Sequence, residues 1–148
     1  MAPAMGSVGA ILVAIQFALI GWLVWPFTPQ AWSPLALAFA AGAVALGAWT
    51  LAYNRPGNFN IRPEPHARGK FVGGGPYRYV RHPMYSAVLL FAAAETTAYH
   101  DPWKVVASAL LVAVLLAKAV IEERHLAARY PEYAAYAARV RRFIPWVI

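Results

Sequence analysis

The residues best suited to chemistry lie in the run GGGPYRYVRHPMY, residues 73–85, which leads into an apolar segment. Pro83 marks the expected start of a helix, because proline is well tolerated in a first helical turn. Unpaired N–H groups and a partial positive charge at a helix N-terminus favour an anionic group such as an amino-acid carboxylate. The polar and aromatic side chains around this point are Tyr77, Arg78, Tyr79, Arg81, His82 and Tyr85. They predict a binding site; a basic anchor at a membrane boundary, where tyrosine and arginine are also expected, is the alternative.

A second group of ionisable residues ends the last apolar run and consists of Lys118, Glu122, Glu123 and His125. Lys118 and Glu122 are one helical turn apart, so they share a face of the helix. An exposed pair of this kind contributes little to stability. At a membrane boundary, however, ionisable residues are costly and more often functional. Lys118 and Glu122 are therefore candidates for a functional pair.

The segment after this helix, YPEYAAYAARVRRFIPWV, predicts a short helix starting at Pro131. Its apolar face would consist of Tyr133, Tyr136 and Val140, while Arg139 and Arg142 face lipid headgroups or solvent. An amphipathic helix lying on the membrane and a helix that closes a site are both compatible with this pattern.

Glu95 is an isolated charge within the apolar run that follows Pro83. At a rise of about 1.5 Å per residue it lies roughly 18 Å along that helix. It is therefore expected deep in the bilayer or near its far interface, depending on tilt. A functional role and an interfacial position both remain open.

The elements that must position these residues are apolar helices. The chain has 148 residues, of which 61% are hydrophobic and 13% charged, and no charged side chain precedes Arg55. Spanning helices need about 20 apolar residues, and four runs approach that length: residues 8–27, 34–53, 83–99 and 103–121. The first run lacks a basic flank, so we expect a retained helix rather than a signal peptide. The prediction is a single all-α, polytopic membrane domain over residues 1–148.

Basic residues indicate the orientation of the helices, because lysine and arginine near helix ends stay on the cytoplasmic side. One side carries Arg55, Arg62, Arg68, Lys70, Arg78 and Arg81 together with Lys118, Arg124, Arg129, Arg139, Arg141 and Arg142. The other side carries only Lys104. Both termini and the candidate site are therefore predicted to be cytoplasmic. The net charge of +7 favours membrane lipids over nucleic acid as partners, and the oligomeric state stays open.

Several familiar kinds of site are missing from the sequence. There is no cysteine, which excludes disulfides and thiolate catalysis. No GxGxxG run lies on a βαβ unit, and there is neither an HExxH nor a GxSxG motif. Glu122, Glu123 and His125 alone make a poor metal site, so no metal is predicted.

The motifs taken together resemble a known family. GGGPYRYVRHPMY, then EERHL, then YPEYAAYAARVRRFIP occur in the order seen in the isoprenylcysteine carboxyl methyltransferase and phospholipid methyltransferase group of integral membrane enzymes. The resemblance implies S-adenosylmethionine as cofactor, S-adenosylhomocysteine as product, and a lipophilic acceptor that enters from the lipid side.

The resemblance also implies roles for individual residues. The cofactor would be lined by Tyr77, His82, Pro83, Met84 and Tyr85, contacted largely through backbone by Lys70, Phe71 and Val72, and further contacted by Glu64. Lys118 and Glu122 fall where the family has its substrate-side Arg and Glu, which makes them the implied catalytic residues. Lysine lacks the bidentate geometry of arginine, so a prenylcysteine carboxylate is not the only acceptor to consider.

Methyl transfer from a sulfonium is an in-line displacement that chiefly requires alignment and exclusion of water. His82 and Tyr85 are predicted to hold the amino-acid end of the cofactor. Lys118 would orient an anionic acceptor, and Glu122 would position the acceptor or assist proton removal from an amine or thiol. The alternatives are N-methylation of a phospholipid headgroup, a nicotinamide-dependent reductase of the related sterol-reductase fold, and a membrane protein without catalytic activity.

Overall fold

The computed structural model describes residues 3–28, 32–54 and 71–148. Within these ranges the chain forms α1 (Pro3–Val24), α2 (Pro34–Tyr53), α3 (Pro83–Tyr99), α4 (Pro102–Arg129) and α5 (Tyr133–Arg139), with a 3₁₀ turn at Gly75–Arg78. The described part contains no β-strand, and Val80 and Arg141 form an isolated parallel bridge. The predicted all-α fold is confirmed.

Local sequence explains where two of the long helices begin. Pro34 and Pro102 occupy first-turn positions, and each follows a residue whose side chain caps the helix. Ser33 Oγ accepts a hydrogen bond from the backbone N–H of Ala36 at 3.2 Å. Asp101 Oδ1 accepts one from the backbone N–H of Trp103 at 2.9 Å. Such caps satisfy N–H groups that have no partner inside the helix.

Three of the described helices are long and apolar enough to cross a membrane: residues 7–24 of α1, α2, and α4. Large apolar side chains on their surfaces are exposed, for example Ile11, Phe17 and Trp22 at 57%, 53% and 60%. Exposure of this kind on a helix suits lipid rather than water as the surroundings. α3 has 17 residues, or about 26 Å, and its passage across the whole bilayer stays a prediction. The protein is an integral membrane protein.

The helix ends agree only partly with the predicted spans. α2 and α3 have the predicted limits, but α1 ends at Val24 and not at residue 27, because Pro26 follows it. α4 continues to Arg129, beyond the predicted end at residue 121. Residues 122–125 are polar, yet most of residues 122–129 are good helix formers, so the helix continues where the apolar run stops.

α3 lies at the centre of the packing, with α2 on one side and α4 on the other, and α1 packs against α4. Leu23, Leu111 and Leu115 are fully buried in the shared core. A Cβ built on Gly47 would lie 3.8 Å from the Cβ of Ala87. The small residue on α2 thus allows the backbone of α3 to approach closely.

Glu95 lies near the end of α3, far from His82 and Tyr85 at the start of that helix, and 1% of its surface is exposed. Its Oε2 is 3.3 Å from the Nζ of Lys104, which also donates to the carbonyl oxygen of Leu23. The Lys104 ammonium lies 4.1 Å from the centre of the Tyr99 ring. These contacts join α1, α3 and α4, so Glu95 has a structural partner remote from the candidate site.

Candidate active site at the charged end of the helices

The 3₁₀ turn before α3 packs closely against the end of α2, because glycine side chains cannot clash with Tyr53 there. A Cβ on Gly75 would lie 2.5 Å from the Tyr53 ring, and Gly75 has a φ of +55°, which favours glycine. Tyr77 follows in this turn, and its hydroxyl accepts a hydrogen bond from Asn54 Nδ2 at 2.9 Å. The glycine run thereby fixes Tyr77 next to the entrance of α3.

His82 joins the entrance of α3 to two glutamates on α4. Its Nε2 is 3.0 Å from Glu123 Oε1, and its Nδ1 is 3.4 Å from Glu122 Oε2. Tyr85 stacks on the His82 ring with centroids 5.2 Å apart and planes 7° apart. The Tyr85 hydroxyl donates to Glu122 Oε2 at 3.2 Å. One buried imidazole therefore orients both carboxylates, and Tyr85 supports one of them.

Glu123 also binds two arginines that come from distant parts of the chain. Arg81 Nε donates to Glu123 Oε1 at 3.0 Å. Arg142 makes a two-pronged contact, with Nε 3.0 Å from Oε1 and Nη2 3.0 Å from Oε2. Arg142, which was expected to face headgroups or solvent, is 35% exposed, and it also pairs with Glu123 because the extension of α4 brings that carboxylate within its reach.

The C-terminal segment is fastened to the start of α3 by backbone as well as side-chain contacts. The N–H groups of Arg81 and His82 donate to the carbonyl oxygens of Arg141 and Arg142 at 2.7 and 3.0 Å. Arg81 Nη1 donates to the carbonyl oxygens of Ala137 and Val140. The end of the chain thus closes the site, and Arg81 links its parts.

An aromatic cluster fills the space between the segment before the turn and α5. The Phe71 ring lies 5.1 to 6.0 Å from the rings of Tyr130, Tyr133 and Tyr136. The Tyr136 hydroxyl donates to the carbonyl oxygen of Tyr77 at 2.7 Å. The Tyr133 hydroxyl is buried without a hydrogen-bond partner among the described residues. Buried hydroxyl groups usually have a hydrogen-bond partner.

Burial, hydrogen bonds and nearby charges shift the pKa values of two groups outside the spanning helices, His82 and Tyr77. Burial lowers the pKa of His82, but hydrogen bonds and charge attraction from Glu122 and Glu123 outweigh burial, so the net pKa lies above its ordinary value. Burial raises the pKa of Tyr77 to about 12, against the opposing hydrogen bond from Asn54. At neutral pH the Tyr77 hydroxyl is protonated, and the raised pKa of His82 favours the imidazolium form, in which both ring nitrogens are donors.

Lys118 lies one turn before Glu122 on α4, but the two side chains do not form an ion pair in the part of the chain described. The ammonium donates to Gln16 Oε1 of α1 and lies 5.1 Å from the centre of the Tyr85 ring. Tertiary packing therefore places Glu122 in contact with His82 and Tyr85, whereas Lys118 is hydrogen-bonded to Gln16.

An apolar cavity of about 400 Å³ lies on the α2 side of α3. Leu46 and Trp49 of α2, Leu89 and Leu90 of α3, and Phe143 line part of it. The Phe143 ring also meets the rings of His82 and Tyr85, with centroids 5.9 and 6.2 Å away. Phe143 therefore separates the apolar cavity from the charged cluster.

The structure brings most of the predicted site residues to one end of the bundle. Tyr77, His82, Pro83, Met84, Tyr85 and Glu122 gather around the start of α3, with Phe71 and Val72 on the segment before the turn and Lys118 deeper on α4. Glu64 and Lys70 lie outside the described residues. Their roles, like those of the others, stay predictions.

Three residues of the cluster were not selected from the sequence as site residues: Gln16, Glu123 and Arg142. Glu123 stands beside Glu122 in the EERHL motif, and that adjacency was the available signal. Gln16 is the one strongly polar side chain in the interior of α1, which also marks it. Arg142 gave no separate signal, because it belongs to a run of basic residues.

Comparisons with known proteins agree with this helical membrane architecture and its charged cluster. Residues 35–133 match the family model described as phospholipid methyltransferase. This stretch includes α2, α3, α4 and the entrance of α5. The chain belongs to the phospholipid methyltransferase family.

Two curated relatives share part of the chain. One is the cobalt-zinc-cadmium resistance protein CzcN of Cupriavidus metallidurans, 40% identical over 50% of this chain and 35% of that protein. The other is protein-S-isoprenylcysteine O-methyltransferase B of Arabidopsis thaliana, 32% identical over 59% of this chain and 44% of that protein. The matches thus span less than half of either relative. Among the described residues no group of His, Asp and Glu is arranged to hold a metal ion.

Proposed function

We propose that the protein is an S-adenosylmethionine-dependent membrane methyltransferase whose acceptor is a lipophilic molecule with an anionic group. The observation that carries the proposal is the side-by-side placement of Glu122, His82 and Tyr85 with the buried Lys118 at one end of the helices. Family membership supports methyl transfer as the class of reaction. The S-isoprenylcysteine in the name of the Arabidopsis relative supports a lipophilic acceptor.

The residues of the cluster fit the chemical groups of this cofactor. The side chain of Glu122 is 33% exposed, so its carboxylate is accessible to an ammonium group. The aromatic surfaces around Phe71, and the Tyr133 hydroxyl that lacks a partner among the described residues, suit a planar, hydrogen-bonding base. When bound, S-adenosylmethionine supplies a methyl group that is already activated by the sulfonium.

The protein's own residues then have to align the acceptor and exclude water. His82 holds Glu122 and Glu123 in place, since both of its ring nitrogens face carboxylates. Glu122 positions the reacting groups, and it accepts a proton at its carboxylate when the acceptor is an amine or thiol. Lys118 attracts the acceptor's anionic group. The closed C-terminal segment limits access of water.

The apolar cavity beside Phe143 supports a hydrophobic tail as part of the acceptor. Its lining is almost entirely apolar, and it adjoins the charged cluster through a single ring. Filling it by Leu90→Trp should weaken acceptor binding and leave cofactor affinity unchanged, because Leu90 faces α2 and not Glu122.

N-methylation of a phospholipid headgroup is the second candidate. The partly exposed carboxylate of Glu122 would attract an amine headgroup, and the matched family bears the phospholipid name. The buried charge of Lys118 disfavours a cationic acceptor, and for this reason we rank an anionic acceptor first.

Calorimetry of the detergent-purified protein with S-adenosylmethionine and S-adenosylhomocysteine tests the cofactor. Wild-type protein should bind both saturably, and Tyr85→Ala and Glu122→Ala should reduce binding or transfer, whereas the exposed control Arg124→Ala should do neither. Absence of binding by folded wild-type protein would refute the proposal and favour a membrane protein without catalytic activity. Transfer of a radiolabelled methyl group to anionic, amine and neutral lipids then identifies the class of acceptor.

A further inference from the structure

The Lys118 ammonium is buried, and within residues 3–28, 32–54 and 71–148 it has no carboxylate as a counter-ion. Its residue is 1% exposed, and no carboxylate in the described part of the chain lies within ion-pair distance of it. Gln16 Oε1 is its hydrogen-bond acceptor there, and the Tyr85 ring lies 5.1 Å away. Gln16 is itself 7% exposed, so α1 contributes a buried polar group to this end of the bundle.

A buried charge is costly unless it is paired and hydrogen-bonded. An ammonium has three N–H donors, and the contacts above satisfy one donor and place a ring nearby. Glu122 is not an acceptor for the remaining N–H donors of Lys118, because its carboxylate is bound to Tyr85 and faces His82. Among the described residues the ammonium therefore keeps two N–H donors without an acceptor, and an anion from outside the chain would complete this arrangement.

The Gln16 side chain is polar but uncharged. Its amide oxygen is a hydrogen-bond acceptor without net charge, so it holds the ammonium in position and leaves the positive charge available. A glutamate at the same place would pair with Lys118 and cancel that charge. Gln16 lies outside residues 35–133, which match the family.

Resting on the proposed methyltransferase function, we propose that Gln16 is a positioning residue that holds Lys118 as the receptor for an acceptor carboxylate. A carboxylate oxygen forms the new O–CH₃ bond as the S–CH₃ bond of the sulfonium breaks. The carboxylate and sulfonium charges are both lost, giving a neutral ester and a neutral thioether. No base is needed for this acceptor.

The test compares an acid with its own ester in the presence of saturating S-adenosylhomocysteine. The probes are N-acetyl-S-farnesylcysteine and its methyl ester, which have the same tail and differ in the carboxylate. Their dissociation constants are measured for wild-type protein, Gln16→Glu and Gln16→Leu. The ester serves as the internal control for folding and for tail binding.

Wild-type protein should prefer the acid by about 10- to 100-fold, the range expected for a hydrogen bond to a charged group. Gln16→Glu should abolish this preference, because it neutralises Lys118, and Gln16→Leu should give an intermediate preference. A merely structural Gln16 predicts the opposite order, since glutamate keeps the hydrogen bond and leucine removes it. An unchanged preference in Gln16→Glu, or equal affinities in wild-type protein, overturns the inference while the cofactor assignment stands. Failure of wild-type protein to bind S-adenosylhomocysteine instead refutes the proposed function itself.

Discussion

Replacing Glu123 by glutamine removes the negative charge that holds three basic side chains against α4. Arg81 and Arg142 each have a nitrogen 3.0 Å from its carboxylate, as does His82. Glutamine has nearly the same shape, so the substitution removes charge with little change in volume. The C-terminal segment should therefore loosen from the start of α3.

The magnitude follows from the burial of the partners. The Arg81 and Glu123 side chains are 11% and 13% exposed, and breaking a buried pair by removing one partner costs about 3–5 kcal/mol. Arg142 is 35% exposed, so solvent screens its share. We expect Glu123→Gln to lower the free energy of unfolding by about 3 kcal/mol.

The assay is unfolding of the purified protein in detergent, with Glu132→Gln as the matched control. Glu132 lies exposed just before α5, and its substitution should change stability by less than about 0.5 kcal/mol. Proteolysis of the C-terminal segment should accelerate in Glu123→Gln only. Equal stability and equal proteolysis of the two variants would refute the idea that Glu123 fastens this segment.

Three further predictions address other parts of the molecule. Gly75→Ala should destabilise the protein by about 1–3 kcal/mol, because it adds strain at a positive φ and a clash with Tyr53; equal thermal stability would contradict this. Because the pKa of His82 is raised on folding, its charge stabilises the fold fully below its ordinary value of about 6.5 and less as pH rises through the raised value. The stability difference between wild type and His82→Gln, measured from pH 6 to 9, should therefore shrink as pH rises, and a constant difference would be contrary evidence. Glu95→Gln should destabilise the bundle by about 3 kcal/mol, because it leaves Lys104 buried without its counter-ion, yet calorimetry should give unchanged cofactor affinity; a large loss of affinity would show that the two ends are coupled.

The sequence predicts the limits of α2 and α3 but not those of the other helices. α1 starts at Pro3 rather than residue 8, and α5 starts at Tyr133 rather than Pro131. Pro34 and Pro83 begin helices as expected, because proline fits the first turn and excludes a preceding helical residue. The end of α4 was missed, because hydropathy records where a helix leaves the apolar region and not where its hydrogen bonds stop. Arg129, at the actual end, lies beyond the polar residues 122–125, which interrupt the apolar pattern of a spanning helix.

The sequence predicts which residues lie at the site better than it predicts which of them contact one another. The family resemblance implies that His82, Tyr85 and Glu122 belong to one site, and the structure does bring them into contact. The pairing of Lys118 with Gln16 depends on how α1 packs against α4, which no local pattern encodes. The attachment of Glu123 to Arg142 likewise depends on the path of the chain after α5. Long-range packing therefore determines which charges meet.

We propose that the cluster around His82, Tyr85 and Glu122 binds S-adenosylmethionine for methyl transfer. Calorimetric titration of folded wild-type protein with S-adenosylhomocysteine, with Glu122→Ala and the exposed Arg124→Ala titrated in parallel, tests it most directly. We expect saturable binding to wild type and Arg124→Ala, and weaker binding by Glu122→Ala, whose carboxylate is accessible to the ammonium group of the cofactor. No binding by the folded wild-type protein would contradict it.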